Sequence, residues 1–480
     1  MFDVNNVVLT TPYYRRLSDD QLQALHAATL EIMSRTGIRF DHEEAVQLFR
    51  KAGASISDGN RVRFPSWLVE WALRTAPKQI IVYDQLGRAA MRLAGRKVYY
   101  GNGSSLLYVI DHRTGDHRKA VLQDVVEALR VLDSLPYYNF VMSFALPSDV
   151  RGDLAHRYQM RAMLENTTKP VVYDSPEAAS TEVAVAMAEA KAGGAEALRE
   201  KPFVVSYINV ANPLRHNRES IQRLLFFAEK GLPAVYRPSI VTRGISTPIT
   251  VAGFLCVNNA SQLAGLVLSQ LKREGTPFVR CSHGGGTFDM RTTVGQHAAP
   301  EARGFQADLA HFYQLPCFGI GGLSGSKTVD QQAALEAALT LLEATLGGSQ
   351  LIHDVGFMNN GATGSLEQLV ICHEIIGWIK HYLPGLQIDA ETLALDVIDE
   401  VAPDGEFLET EHTLRHVRED WYPNLLDRQG HDAWVAQGGL DLREKARRKV
   451  GEILGAFEPY VIRGDVSEAW DRIMEKGIQA

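Results

Sequence analysis

One pattern dominates the middle of this chain: between residues 139 and 383, short β-branched or aromatic runs alternate with amphipathic helical runs. The predicted strands cover residues 139–145, 170–174, 203–209, 234–237, 278–283, 317–322 and 351–357. The predicted helices lie near residues 154–165, 181–192, 221–229, 250–271, 302–313, 331–346 and 366–383. Strands that alternate with helices pair in parallel. With residues 97–100 as the first strand, eight such units predict a (β/α)₈ TIM barrel.

An open, doubly wound sheet is the alternative architecture, because a glycine-rich turn at Gly101 and Gly103 follows the first predicted strand. A dinucleotide-binding GxGxxG turn would need a third glycine where Leu106 stands, and it would open a helix. Here the following segment resembles a strand. The pattern therefore favours the barrel.

The segments on either side of the alternating pattern are predicted to be helical. Ser18 is a typical N-cap residue, and the apolar spacing after it predicts a helix that ends at Gly37, followed by helices at residues 42–52 and 66–75. Residues 80–83 and 106–110 look like short strands. We expect a helical N-terminal extension (residues 1–78), a TIM-barrel catalytic core (79–385) and a C-terminal helical extension packed on the barrel (386–480).

Composition narrows the class of protein. The 480 residues carry a net charge of −8, which argues against nucleic acid as a partner. Polar residues interrupt the most apolar window, residues 251–271, and the N-terminus lacks a secretory pattern, so we expect a cytoplasmic protein without a membrane span. No CxxC pair occurs, which favours reduced, buried thiols; the four cysteines are Cys256, Cys281, Cys317 and Cys372.

In a TIM barrel the active site lies at the C-terminal ends of the strands. The predicted strand ends are Tyr100, Gly101, Asn102, Tyr173, Asp174, Tyr207, Asn209, Tyr236, Arg237, Ser282, His283, Gly321, Gly322, Ser324, His353, Asp354 and Phe357. The substrate-binding candidates among them are Tyr100, Asn102, Tyr207, Arg237, His283 and Phe357. The adjacent pair His353 and Asp354 is the catalytic candidate, although a histidine at a strand end equally suits a structural role.

This set of residues suits a ligand that is cationic at one end and anionic at the other. Aromatic faces attract an ammonium ion, which points to Tyr100, Tyr207 and Phe357. Arginine and histidine bind carboxylates, which points to Arg237 and His353. Each ring also suits simple packing of the barrel wall.

A metal site inside the barrel needs a separate test. Cys281 and His283 lie two apart on one predicted strand and face the same side, as two zinc ligands would. The sequence offers no third ligand, because Cys317 begins the next strand. We therefore predict no metal on this chain. A DxHxxG corrinoid-binding run is also absent from the sequence.

The segment from Gly321 to Gly377 is similar to a known family. It reads GGLSGSKTVDQQAALEAALTLLEATLGGSQLIHDVGFMNNGATGSLEQLVICHEIIG and resembles the trimethylamine methyltransferase family, which has an SKxxDxQAxxE stretch and later an SxEQLV helix. The matching positions are Ser326, Lys327, Asp330, Gln332, Ala333, Glu336, Ser365, Glu367, Gln368, Leu369 and Val370. Other stretches, such as STPITVAGFLCVNNASQLAGLVLSQL, extend the resemblance over nearly the full length.

The sequence departs from the family pattern in two places. The family commonly has TDSK where this chain has Ser324 to Lys327, and an acidic pair where it has Cys372 and His373. The founding members carry pyrrolysine within the barrel, whereas this chain has standard residues throughout. The resemblance therefore implies the branch without pyrrolysine.

The resemblance implies a reaction as well as a fold. The family's methyl acceptor is the Co(I) corrinoid of a separate corrinoid protein, so no cofactor is expected on this chain. The substrate is expected to be a quaternary amine, with glycine betaine first and proline betaine, carnitine or γ-butyrobetaine as alternatives. A zinc-dependent corrinoid methyltransferase and a non-catalytic betaine-binding barrel are the other readings. We also expect a homo-oligomer.

Overall fold

The N-terminal region of the computed structural model begins with a capped helix. The structure describes residues 13–238, 242–282, 284–295, 298 and 303–479. The Ser18 side chain accepts a hydrogen bond from the backbone of Gln21 at 3.2 Å, and the Gln21 side chain accepts one from the backbone of Ser18 at 2.9 Å. This reciprocal capping box stabilises the first turn. The helix continues into a π-helical turn at Ile32–Thr36 and stops at Gly37, whose φ is 71°, as predicted.

Helices and short strands alternate in this region. They are, in chain order, α1 (Asp19–Glu31), β1 (Ile38–Phe40), α2 (Glu43–Lys51), β2 (Ser55–Ser57), β3 (Arg61–Arg63), α3 (Ser66–Thr75), β4 (Ile80–Tyr83) and β5 (Ala89–Leu93). Strands β1, β2 and β3 belong to a small sheet. The helices of the predicted helical extension are present, and the small sheet is an addition to them, because strands of three residues are too short to show a period of two.

Strands and helices then follow one another from Tyr99 to Tyr382. The strands are β6 (Tyr99–Gly101), β7 (Tyr108–Ile110), β8 (His117–Lys119), β9 (Tyr138–Phe140), β10 (Val171–Asp174), β11 (Val204–Val210), β12 (Arg215–His216), β13 (Ala234–Pro238), β14 (Phe278–Cys281), β15 (Phe288–Asp289), β16 (Val294–Gly295), β17 (Cys317–Ile320), β18 (Leu351–His353), β19 (Phe357–Met358) and β20 (Thr363–Ser365). The helices are α4 (Leu122–Ser134), α5 (Ala155–Asn166), α6 (Ala178–Ala192), α7 (Ala195–Glu200), α8 (Arg218–Lys230), α9 (Val251–Lys272), α10 (Phe305–Phe312), α11 (Gln331–Leu346) and α12 (Leu366–Tyr382).

Eight of these strands form the predicted barrel. Strands β6, β9, β10, β11, β13, β14, β17 and β18 follow one another around a parallel sheet, and β18 pairs back with β6. The remaining seam lies between β9 and β10. There Val141 donates to the carbonyl of Pro170 and accepts from Val172, both at 2.9 Å. These two bonds close the barrel.

A hairpin closes the N-terminal end of the barrel. Strands β4 and β5 pair in an antiparallel hairpin. Tyr83 donates to the carbonyl of Pro202 at 2.8 Å, and Gln85 donates to that of Thr168 at 2.8 Å, just before β11 and β10 respectively. The hairpin and the barrel interior share one apolar cluster, made of Ile80, Val82, Met91, Leu93, Phe140, Met142, Val172, Val205, Tyr207, Val235, Val279, Phe318 and Leu351. A ligand therefore enters from the C-terminal ends of the strands.

Helix α9 is long and apolar enough to span a membrane by length and composition, with a mean hydropathy of 1.5 in its most apolar window. In the structure 78% of that window is buried inside the protein. The helix packs against α1, α3, α8 and β13, and the side-chain nitrogen of Asn259 donates to Thr29 at 3.0 Å and to Tyr313 at 2.8 Å. These contacts are those of a core helix.

The C-terminal part of the chain contains both helices that are packed on the rest of the protein and helices without buried residues. They are α13 (Ala390–Leu393), α14 (Leu395–Val401), α15 (Glu411–His416), α16 (His431–Ala436), α17 (Leu442–Ala456) and α18 (Gly464–Gln479). Helix α17 packs against α12 and α4, and α18 packs against α6, where Trp470 is fully buried. Helices α13 to α16 hold no buried residue. We call residues 389–436 the C-terminal arm.

Candidate active site

Strand alternation places a polar layer above the apolar interior of the barrel. The apolar residues Val172, Val205, Val235, Val279 and Leu351 face the axis, one from each of five strands. The residues two positions further along the same strands face the same way; they are Asp174, Tyr207, Arg237, Cys281 and His353. This layer lies at the open end of the barrel, where TIM-barrel enzymes carry their active sites. We call this end, with the polar layer, the mouth.

His353 is held in one orientation and one tautomer. Its Nδ1 lies 2.6 Å from the carbonyl oxygen of Gly319, and a carbonyl can only accept, so Nδ1 carries the proton. The ring packs on Phe318, with centroids 4.2 Å apart, and lies 5.5 Å from the ring of Tyr207. Its Nε2 lies 3.4 Å from Oδ1 of Asp354. The pair predicted as catalytic therefore lies together at the mouth.

Asp354 sits in an unusual backbone and electrostatic environment. Its φ is 63°, in the left-handed region that costs a non-glycine residue conformational energy and that is often found at functional sites. Burial raises the pKa of its carboxyl group to about 7, with Asp174 contributing in the same direction and Arg237 opposing. The carboxyl therefore changes its charge near neutral pH.

Position 103 has room only for a glycine. A Cβ atom at this position would lie 2.2 Å from Oδ1 of Asp354 and 2.2 Å from Cζ of Phe357. The loop that follows β6 thus packs its backbone against both side chains. Phe357 is 5% exposed and borders the mouth beside Asp354.

Arg237 offers an unused donor to the mouth. Its Nη1 donates to the hydroxyl of Tyr207 at 2.7 Å and to the side-chain oxygen of Asn209 at 3.2 Å. Both partners are uncharged. Among the residues that the structure describes, none accepts a hydrogen bond from the buried Nε. A buried donor of this kind is costly to leave unpaired, so the guanidinium is suited to receive an anionic group of a ligand.

Asp174 adds a second carboxyl group to the mouth. Its Oδ2 accepts a hydrogen bond from Ser104 at 3.0 Å. Burial raises its pKa, against the lowering effects of the Arg223 charge and the Ser104 hydrogen bond. The mouth therefore combines two desolvated carboxyl groups, a guanidinium and the rings around His353. Such a layer complements a ligand that carries both charges.

Two of the predicted substrate contacts have other positions. Tyr100 points outward from β6, and its hydroxyl pairs with that of Thr345 on α11 at 2.8 Å. Neighbouring residues of a strand face opposite sides, so Tyr99 points towards the barrel interior and Tyr100 towards the helices. There Tyr100 is buried, with 1% of its surface exposed. The expectation that Tyr100 faces the cavity is therefore wrong.

Asn102 is also buried, and its side chain holds a loop rather than a ligand. Its nitrogen donates to the carbonyls of Gly103 at 2.8 Å and Met142 at 2.9 Å, and its oxygen accepts from the backbone of Met142 at 2.9 Å. These bonds use the polar atoms of the amide and tie the loop after β6 to β9. Of the remaining predicted residues, Tyr207, Arg237 and Phe357 reach the mouth, and His283 lies outside the described residues.

Asp174 and Asn209 were strand ends that the sequence analysis did not select. The signal for Asp174 was present, since counting in twos from Val172 places it inside the barrel. Asn209 shows its importance only through its hydrogen bond to Arg237. That contact joins two strands and is invisible in the sequence.

Comparison with known proteins extends these observations. The family profile described as trimethylamine methyltransferase (MTTB) matches residues 2–477. A protein of Desulfitobacterium hafniense strain Y51 called glycine betaine methyltransferase is 32% identical over 458 residues, which is 93% of this chain and 94% of that protein. Proteins called trimethylamine methyltransferase MttB are 30% identical in D. hafniense strain DCB-2, with 96% of this chain and 93% of that protein covered, and 29% identical in Methanosarcina barkeri, with 96% and 94% covered.

A solved structure resembles the fold. The crystal structure of the M. barkeri monomethylamine methyltransferase MtmB superposes with a TM-score of 0.54 at 11% identity, and the match covers 97% of this chain and 88% of that one. At this level of identity the comparison concerns architecture. It agrees with the eight-stranded barrel with helical extensions.

Gly103→Ala tests the packing of the mouth. The added methyl group would overlap Asp354 and Phe357, and overpacking of this kind costs about 1–3 kcal/mol. We expect a lower midpoint of thermal unfolding. Gly152→Ala is the matched control, because a Cβ there has no heavy atom within 4 Å. A Gly103→Ala protein as stable as the Gly152→Ala protein would contradict the described packing.

Proposed function

The chain belongs to the trimethylamine methyltransferase family, and on this premise we propose that it transfers a methyl group from a quaternary amine to the Co(I) corrinoid of a separate protein. Glycine betaine is the proposed substrate, and dimethylglycine the product. The methyltransferase activity follows from the family and from relatives that match over nearly the whole chain. The substrate and the acceptor are the proposal.

The observation that carries the proposal is the charge arrangement of the mouth. The Nε of Arg237, which no described residue accepts from, is the proposed donor to the substrate carboxylate. Asp354 and Asp174 supply negative charge for the trimethylammonium group, and aromatic rings such as Tyr207 attract it by about 0.5–2 kcal/mol each. A zwitterion satisfies both ends of this site. The relative called glycine betaine methyltransferase supports the same substrate.

The chemistry of a quaternary amine fits a site without a dedicated acid. The methyl carbon accepts an electron pair from the Co(I) centre while the carbon–nitrogen bond breaks, and the bonding pair stays on nitrogen as the lone pair of a neutral tertiary amine. No proton moves. The chain's task is therefore to hold the ammonium group so that one methyl points out of the barrel, and to remove water from the cation.

Each residue of the mouth has a part in that task. Arg237 binds the carboxylate and fixes one end of the substrate. Ionised Asp354 balances the ammonium charge. His353, anchored through Gly319, lies beside Asp354 and presents its ring next to Tyr207. We propose His353 and Asp354 as catalytic residues in this positioning and electrostatic sense.

The acceptor must approach from outside. The β4–β5 hairpin closes the opposite end of the barrel, so the proposed corrinoid protein meets the methyl group at the mouth, within the about 3–3.5 Å of a near-attack geometry. We propose that the chain itself binds no cofactor and that the corrinoid is supplied by its partner. We also propose a cytoplasmic location and a homo-oligomer. Exposed apolar side chains around a cavity of about 400 Å³ on α11 and α12, among them Leu339 and Tyr382, suit contact with a second copy.

The direct test is a methylation assay under anaerobic conditions. Purified protein is mixed with cob(I)alamin and one of a panel of compounds: glycine betaine, proline betaine, carnitine, γ-butyrobetaine or trimethylamine. We expect glycine betaine to give methylcobalamin and dimethylglycine in equal amounts, with or without a chelator.

The outcomes of this assay separate the alternatives. Preference for another betaine would replace the substrate and keep the reaction. Activity that a chelator abolishes and zinc restores would favour a metal-activated enzyme. Betaine binding without any transfer, including with a cognate corrinoid protein, would reduce the chain to a binding protein.

Arg237→Met tests the carboxylate site. Loss of a hydrogen bond to a charged group costs about 1.5–3 kcal/mol, so we expect the KM for glycine betaine to rise roughly 10- to 150-fold. Tetramethylammonium lacks a carboxylate, and its inhibition constant should stay the same. Arg472→Met, on the exposed face of α18, is the control. Equal losses for both ligands would assign Arg237 a structural role instead.

The pH dependence tests Asp354. Its carboxyl group has a pKa of about 7 and gains its charge above that value. The ammonium group of the substrate prefers the charged form, so kcat/KM should rise through about pH 7 and then level off. The betaine carboxylate is ionised throughout this range. Asp354→Asn should give a low, flat profile. A flat profile for the native protein would sink the assignment.

A further inference from the structure

Three potential metal ligands meet in the C-terminal arm, outside the barrel. His412 and His416 lie on α15, and Glu391 lies on α13. One donor atom from each residue lies within 4.8 Å of the other two. In the part of the chain that the structure describes, this is the one group of histidine, cysteine and carboxylate side chains with metal-binding spacing.

Helix geometry brings the two histidines together. Residues four apart lie on one face of a helix, where two imidazoles can reach one ion. The ring centroids of His412 and His416 are 4.4 Å apart. Nε2 of His416 lies 3.3 Å from Oε1 of Glu391, and Nε2 of His412 lies 3.1 Å from the backbone oxygen of the same residue. All three residues therefore converge on one point of the surface.

The surroundings of His416 match those of a metal ligand. Its second nitrogen, Nδ1, lies 2.8 Å from the carboxylate of Glu419. Histidines that bind metals usually donate their other ring N–H to a carboxylate, which fixes the tautomer and makes the free nitrogen a better ligand. Glu419 thus directs Nε2 of His416 towards Glu391. This contact is independent of the clustering itself.

The spacing is that of a small tetrahedral ion. Ligand bonds of about 2.0–2.2 Å to zinc set neighbouring donors roughly 3.3 Å apart. The 3.3 Å between His416 and Glu391 already meets this value, and the donor atom of His412 lies within 4.8 Å of both. Glu391 also accepts from Arg415 at 2.7 Å through Oε1. This is the same oxygen that faces Nε2 of His416, so an ion bound there would share it with Arg415.

We propose that His412, His416 and Glu391 bind one Zn²⁺ ion, with water as the fourth ligand. Two imidazoles and a carboxylate form a ligand set that favours zinc over magnesium or calcium. From the sequence no metal was predicted on this chain, and the zinc ligands considered, Cys281 and His283, lie on a predicted barrel strand. The histidine pair is visible at i, i+4, but Glu391 precedes it by 21 residues and reaches it only through the fold.

The ion's role is to hold the arm. Helices α13 to α16 contain no buried residue, so these helices gain little from hydrophobic burial; the buried Leu425 lies in the loop between α15 and α16. A bond between Glu391 on α13 and the histidines on α15 closes a loop of the chain and restricts its movement. None of the ligands belongs to a barrel strand, and methyl transfer does not depend on the site.

Zinc binding by the full-length protein tests the site. The protein is stripped with a chelator, freed of it and titrated with Zn²⁺. We expect one ion per chain, and with Co²⁺ the visible absorption bands of a four-coordinate site. His412→Ala/His416→Ala should lose the ion, and Glu391→Gln should bind it at least tenfold more weakly. His431→Ala, which removes an exposed histidine of α16, is the control and should bind like the native protein.

Two further readings complete the experiment. Proteolysis within residues 389–436 should slow when Zn²⁺ is added to the native protein and stay unchanged in the double variant. Methyl transfer by the double variant should equal that of the native protein, so a failed methylation assay and a failed zinc titration are separate results. No stoichiometric binding, or equal binding by the native protein and the double variant, would overturn the proposed site.

Discussion

Closure of the parallel sheet is the constraint on which the rest of the molecule depends. Once eight strands pair into a ring, each strand has one face towards the helices and one towards the axis. Space inside the ring is limited, so the lower positions are apolar and pack against the β4–β5 hairpin. The next inward positions lie above this apolar floor. Any polar side chain there is directed into the mouth and is held by its own strand.

Burial gives those polar groups their properties. A carboxyl group removed from water resists ionisation, and Asp354 lies close to a second carboxyl group, that of Asp174. The charge of Arg237 opposes the effect, and its hydrogen bonds to described side chains go to Tyr207 and Asn209. The carboxyl groups and the guanidinium of the mouth are therefore available to bind a ligand. A dipolar ligand with an ammonium group and a carboxylate would interact with both.

The elements outside the barrel are stabilised in two different ways. The N-terminal elements and helices α17 and α18 are fastened to the barrel by buried apolar residues, such as Trp470 against α6. Helices α13 to α16 of the arm contain no buried residue. Polar contacts join these helices, for example between Arg415 and Glu391. A protein segment of this kind is where a bound ion has the largest effect on order, because few other contacts compete.

The sequence by itself determined the order of the barrel elements. Periodicity is a local property, so most predicted strands agree with the observed ones within a few residues; for example, residues 170–174 correspond to β10 (Val171–Asp174). The same local rule placed His353 and Asp354 at the end of a predicted strand. The similarity to the trimethylamine methyltransferase family was also readable from the residues alone.

Tertiary structure decided which strand-end residues meet. Tyr100 is a strand-end aromatic like Tyr207, but the register of β6 turns it outward while that of β11 turns Tyr207 inward. A shift of one residue reverses the face of a side chain, and sequence patterns do not locate strand ends that accurately. The unused nitrogen of Arg237 and the meeting of Glu391 with His412 and His416 depend on contacts between distant segments. Those contacts exist only after the chain has folded, because their geometry comes from barrel closure and helix packing and not from any local run of residues.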